Sequence, residues 1–216
     1  MNTGASVMNN RFIALEGADG CGKSTQVDRL AALLRQQGEE VITVREPGST
    51  SLGERVRTIL LDGEEPLCAE AEALLFLSSR AQLLDEVIEP ALAAGQWVIA
   101  DRFHISTVVY QGLAGELGEQ RAAELCHVVI GERRPALNLI IEITAEEIEK
   151  RIARRSAGGS AGGDRFESRP GIYQRTATAF RQVQGIPGDR IVRIDGSGSE
   201  DEVATRIEQE VIVGLR

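Results

Sequence analysis

The sequence is short of positive charge, of paired cysteines and of long apolar runs. Its 216 residues carry a formal charge of −9 and an isoelectric point near 4.9, which argues against a whole-surface affinity for nucleic acid or anionic lipid. Any anionic ligand must therefore meet a local cluster of arginines. The three cysteines, Cys21, Cys68 and Cys126, are odd in number and far apart. That spacing suggests neither a disulfide framework nor a paired metal site, and it fits a reducing, cytoplasmic setting. No apolar run approaches the roughly 20 residues of a membrane span. Met1 to Asn10 are polar, without the apolar centre of a signal peptide, and residues 1–10 are read as a disordered tail. There is no internal repeat, no sign of a second domain, and no Asn-Lys-x-Asp motif of the kind a guanine-nucleotide switch needs.

What the chain does have is alternation. Short apolar runs at 12–15, 41–44, 97–100, 137–141 and 191–194 are separated by longer amphipathic segments. Five buried strands joined by helices make a doubly wound α/β fold with a parallel sheet. Helices are expected over 23–37, 52–61, 70–93, 104–113, 119–131, 145–155, 171–184 and 200–213. In such a fold ligands gather at the carboxyl ends of the strands.

The strongest motif lies between the first strand and the first helix. Gly17-Ala18-Asp19-Gly20-Cys21-Gly22-Lys23-Ser24 matches G-x-x-x-x-G-K-[ST], the pattern of a phosphate-binding loop. Backbone N–H groups and the helix N-terminus cradle the phosphates of ATP, and Lys23 adds a mobile charge. Ser24 is expected to hold Mg²⁺ through its hydroxyl, and the nucleotide contact extends to Thr25. Asp101-Arg102-Phe103 follows the third strand directly. Asp101 is placed to orient the metal and its waters, and Arg102 to fork onto a phosphate. Arg45-Glu46-Pro47-Gly48 ends the second strand at the same edge, so Arg45 and Glu46 are expected near the transferring phosphates. Phe76 and Arg80 are four apart in a helix, as are Thr107 and Gln111, and each pair shares a face. An aromatic plate and a guanidinium opposite a hydroxyl and an amide suit a flat base with carbonyl and imide edges. Between 150 and 169 six basic residues meet two acidic ones, a net of +4 around the plain stretch Ser156–Gly163. A basic, flexible flap suits a lid over phosphates.

In this order the motifs resemble thymidylate kinase, in its bacterial form, from about Arg11 to the last helix. Glu16 to Ser24, Arg45 to Gly48, Leu74-Leu75-Phe76 with Arg80, Asp101-Arg102-Phe103, Ser106-Thr107 with Tyr110-Gln111-Gly112, and Asp164-Arg165-Phe166-Glu167 carry the resemblance. It implies a three-layer P-loop NTPase fold over 11–216 with a flexible lid at about 151–170. The implied activity is transfer of the γ-phosphoryl group of ATP to deoxythymidine monophosphate (dTMP), with Mg²⁺ as cofactor and a homodimer packed through helices such as 70–93. Phe76 would stack on thymine, Arg80 would bond the base edge, and Thr107 and Gln111 would bind its other polar groups. Tyr110 would disfavour a 2′-hydroxyl, Asp19 would meet the 3′-hydroxyl, and Arg57 and Arg102 would hold the acceptor phosphate with Glu46 close by. In this family a catalytic arginine lies either in the phosphate loop or in the lid. Here Gly20 follows Asp19, so Arg151, Arg154, Arg155 and Arg165 are the alternatives, with Arg151 and Arg165 favoured. The acceptor is already ionised, so no general base is required and neither His104 nor His127 needs a catalytic role. The rival reading is a deoxynucleoside or other small-molecule kinase on the same fold, which would need a base such as Glu46 to take the proton of a hydroxyl.

Overall fold

The computed structural model describes residues 11–63, 65–157 and 165–214. The expected disordered tail over 1–10, the glycine-rich part of the expected lid over 158–163 and Asp164 lie outside these residues.

Five strands form one parallel sheet: β1 Phe12–Gly17, β2 Val41–Arg45, β3 Trp97–Asp101, β4 Leu137–Glu142 and β5 Ile191–Asp195, in the order β2-β3-β1-β4-β5. Every residue of β1 is buried, whereas the edge strands β2 and β5 are partly exposed. A strand covered on both faces reads as a continuous apolar run, and Phe12-Ile13-Ala14-Leu15 is such a run. The chain leaves β1 for β2 and β3 on one side and later crosses to β4 and β5 on the other, so the crevice opens beyond the end of β1. The parallel register sets Leu15 beside Asp101, Arg45 beside Asp101 and Gly17 beside Ile141. Three loops therefore leave the sheet at one level.

The flanking helices are α1 Lys23–Gln36, α2 Ser51–Leu61, α3 Ala69–Leu83, α4 Glu89–Ala93, α5 His104–Thr107, α6 Glu119–Ile130, α7 Ala145–Ala157, α8 Ile172–Gln182 and α9 Glu200–Gly214. Two expected helices are interrupted. The segment 70–93 contains a π turn at Leu84–Ile88, just before Pro90 in the first turn of α4. Proline has no N–H to give and crowds the carbonyl four residues back, and a wider turn relieves both. The segment 104–113 becomes a π turn at Val108–Leu113 after a single α turn. A Cβ on Gly112 would stand 3.1 Å from both Ala122 Cβ and Glu119 Cα, so glycine lets α6 approach this turn. Among the described residues no helix is long and apolar enough to cross a membrane.

Candidate active site

The phosphate loop is shaped by contacts that only glycine allows. Gly17 leaves β1 at φ 142°, where a Cβ would meet the Ile141 carbonyl oxygen at 2.6 Å. Gly22 stands at the N-cap of α1 in the left-handed region, at φ 97°, which an L side chain rarely adopts. Lys23 curls back and donates to the Ala18 carbonyl at 2.9 Å. The Ser24 hydroxyl donates to Asp101 Oδ2 at 2.5 Å, joining the first turn of α1 to the end of β3. A hydroxyl and a carboxylate are hard oxygen donors. They fit an ion that takes few protein ligands and completes its shell with water and phosphate oxygens. Above the loop lies a cleft of about 750 Å³, bordered by Asp19, Gly20, Lys23, Ser24 and Thr25 on one side and by Arg151, Arg154 and Arg155 of α7 on the other.

Arg102 is the hub beside this loop. Its backbone is left-handed, at φ 72°, a costly conformation for so large a residue. Several bonds hold it there. Its N–H donates to the Leu15 carbonyl, and its guanidinium donates to the Gly17 carbonyl at 2.9 Å and to Ser106 Oγ at 3.0 Å. It also forms an ion pair with Asp19. Asp19 in turn accepts from the Tyr110 hydroxyl at 2.7 Å. Burial opposes ionisation of Asp19, but Arg102 and Lys23 together hold its carboxyl down at about 2. Burial pushes the Tyr110 phenol well above its usual value, so it stays a neutral donor.

Beneath Arg102 sits Glu16, fully buried at the end of β1. It accepts from Phe103 N at 2.8 Å and from the Ser106 hydroxyl at 2.5 Å. The carboxylate thus fastens the start of α5 and, through Ser106, the guanidinium of Arg102. Burial raises the Glu16 carboxyl to about 7 against these bonds and the charge of Arg102. The sequence offered no period or spacing that would single Glu16 out, because a lone acid at a strand end looks like any turn residue.

On the far side of Asp19 and Arg102 lies a second pocket, which Arg57, Phe76, Arg80, Thr107, Tyr110 and Gln111 all border. Three elements meet here: α2, whose Thr50 N-cap accepts from Gly53 N at 2.9 Å, then α3, and the turn at 108–113. Phe166, within the expected lid segment, closes the pocket, with its ring 5.7 Å from that of Phe76. Arg57 donates to the Pro47 carbonyl at 3.0 Å. Arg80 is more deeply set than its helical spacing suggests. Only 1% exposed, it gives Nε and Nη2 to Glu46 at 2.8 and 2.5 Å, and Nη2 also reaches Thr107 Oγ1 at 3.0 Å. Burial disfavours its charge, yet Glu46 keeps its pKa above the ordinary arginine value.

Two expectations need correction. Arg45 borders neither the cleft nor the aromatic pocket; it is exposed and pairs with Glu54 at 3.0 Å. Successive residues at a strand end point to opposite sides, so Glu46 turns inward while Arg45 turns out. Glu46 does border the aromatic pocket, as the buried partner of Arg80. The lid arginines also separate. Arg151 donates to the Cys21 carbonyl at 3.2 Å and to the Gly196 carbonyl at 3.2 Å, directly against the phosphate loop. Arg165 instead donates to the Glu65 carbonyl at 3.2 Å and does not border the cleft. Arg155 pairs with Glu167 at 2.7 Å. Cys21 is buried in the loop, with its sulfur 3.8 Å from Lys23 Nζ. His104 is buried against Asp189 at 2.7 Å and borders neither pocket.

The sequence from residue 15 to 207 matches the family model described as thymidylate kinase. Among curated relatives, the thymidylate kinase of Chlamydia trachomatis serovar D is 44% identical over 167 residues, covering 76% of this chain and 80% of that one. That of Alkalilimnicola ehrlichii is 40% identical over 201 residues, covering 92% and 91%. A third, from Rhodopirellula baltica, is 39% identical over 198 residues, covering 91% and 78%. With a phosphate loop, a strand-end Asp-Arg and an aromatic pocket arranged around one crevice, the chain belongs to the thymidylate kinase family.

Proposed function

We propose that the protein transfers the γ-phosphoryl group of ATP to dTMP, giving dTDP and ADP, as a single catalytic domain over 11–216 in the cytoplasm. One observation carries this reading: Asp19 borders both the cleft over the phosphate loop and the aromatic pocket. Two anionic substrates can therefore meet end to end across one residue. The loop amides and Lys23 hold the ATP phosphates, and Gly17, Ala18, Gly20, Cys21, Gly22, Ser24 and Thr25 line their path. Arg57 and Arg102 hold the acceptor phosphate. Phe76, Arg80, Thr107 and Gln111 surround the base, with Glu46 acting through Arg80. Tyr110 stands over the sugar and Asp19 meets its 3′-hydroxyl.

Transfer between phosphates passes through a loose transition state, so alignment and charge neutralisation do most of the work. Arg151 is favoured over Arg165 as the lid cation, because it already touches the loop. Ser24 and Asp101 would hold Mg²⁺, which when bound spreads the negative charge of the β- and γ-phosphates. A lid over 151–170 would exclude water from the transfer.

The test is release of ADP from Mg·ATP with a panel of acceptors: dTMP, dUMP, dCMP, AMP and GMP, with thymidine as the hydroxyl control. A strong preference for dTMP is expected. Preference for thymidine would favour the nucleoside-kinase reading and give Glu46 a different part. Turnover with another monophosphate alone would remove the roles given to Phe76 and Gln111.

A further inference from the structure

The geometry points to Glu72 as a positioning residue that sets base specificity: it holds the Gln111 amide with its oxygen free for the acceptor pocket. The pocket then selects a base whose pairing edge offers an N–H. This rests on the reading of that pocket as the dTMP site.

Glu72 lies on α3 one turn before Phe76, and is only 4% exposed. It forms an ion pair with Arg169, whose guanidinium lies 4.4 Å over the ring of Phe166. Its Oε1 also accepts from Gln111 Nε2 at 3.0 Å. A carboxylate paired with a guanidinium accepts hydrogen bonds and donates none. Only the NH₂ end of the Gln111 amide can face it, so chemistry alone decides which way that amide lies. Gln111 is nearly buried, and its Oε1 has no hydrogen-bond partner among the described residues. The ring N–H of thymine or uracil would satisfy that oxygen. The ring nitrogen of cytosine, a lone pair, would leave two acceptors facing each other. A site built to bond one edge rejects the analogue lacking it strongly, because its own buried group is left unpaired.

Glu72→Gln tests the inference sharply. Arg169 only donates, so the oxygen of the substituted amide must turn toward it and the NH₂ of that amide toward Gln111. The Gln111 amide then flips and presents NH₂ to the pocket. The ratio of kcat/KM for dTMP to that for 5-methyl-dCMP is expected to fall by about tenfold or more, with KM for ATP unchanged. In a Gln111→Ala background the same substitution should leave the ratio where Gln111→Ala alone sets it. If Glu72→Gln does not fold, the pair Glu72→Ala with Arg169→Ala removes both charges together. That pair frees the amide, so the ratio should again fall. A folded variant with an unchanged ratio overturns the inference, as does an equal shift in the Gln111→Ala background. A wild type that ignores dTMP overturns the functional reading, and this inference with it.

Discussion

At the scale of single residues the pocket is a set of buried charges, each held by a specific neighbour. Glu16 is the least ordinary of them, with its carboxyl raised from the usual 4.5 to about 7 by burial. A carboxyl raised in the folded state contributes stability that is full below 4.5 and lost as pH rises through about 7. Glu16→Gln removes that titration. The stability of wild type minus variant, measured by denaturant unfolding, should therefore decline across this interval. A difference that does not change with pH would show that Glu16 does not titrate there. Phe76 makes the opposite kind of contribution, through contact area rather than charge. Phe76→Ala should weaken dTMP binding by roughly 1–3 kcal/mol, the usual worth of a base–aromatic stack. An unmoved dissociation constant would make Phe76 a packing residue only.

At the scale of elements, the site depends on where helices begin and where they widen. Thr50 caps α2 with a buried bond to Gly53 N, and α2 carries Arg57 to the pocket. Thr50→Ala should cost about 1 kcal/mol and lower Tm by about 2–4 °C. A midpoint equal to that of the wild type would mean that another group satisfies Gly53 N. The π turn at Val108–Leu113 matters differently. The i, i+4 spacing of Thr107 and Gln111 is correct in outline, since both border the pocket. A widened turn, however, changes the angle between them, and Gln111 ends against Glu72. Nothing in the pattern of apolar residues marks such a turn, because it arises from the packing of α6 against Gly112.

At the scale of the whole molecule, the long-range expectations are a closing lid and a homodimer. Arg151 stands against the phosphate loop and Arg165 against Glu65. Arg151→Ala is expected to lower kcat by about 10²–10³-fold, the worth of one strong electrostatic partner in the transition state. Arg165→Ala should do much less, and a larger loss there would mean that catalysis uses a lid arrangement with Arg165 brought in. Two apolar side chains on packed helices are left open to solvent: Leu74 on α3, 54% exposed, and Val128 on α6, 80% exposed. If the homodimer implied by the family resemblance forms through these helices, sedimentation gives twice the 23.3 kDa of one chain. Val128→Glu should then shift it toward the monomer. A monomeric wild type would remove the dimer.

Much of this was legible before any coordinates, because it depends on local pattern. The five apolar runs are strands, the phosphate loop sits between the first strand and helix, and Asp101 and Arg102 follow the third strand. Such features follow from residue order, since the strand period and the glycine positions act over a few neighbours. What only the tertiary structure decided is which charges meet. Glu46 pairs with Arg80, Arg45 turns to Glu54, Glu16 fastens Arg102 through Ser106, and Glu72 faces Gln111 and Arg169. In several of these pairs the partners are tens of residues apart and come together through the crossover of the sheet. Burial then makes the pairings of Glu46, Glu16 and Glu72 obligatory, because a charge taken out of water without a partner costs far more than the bond returns.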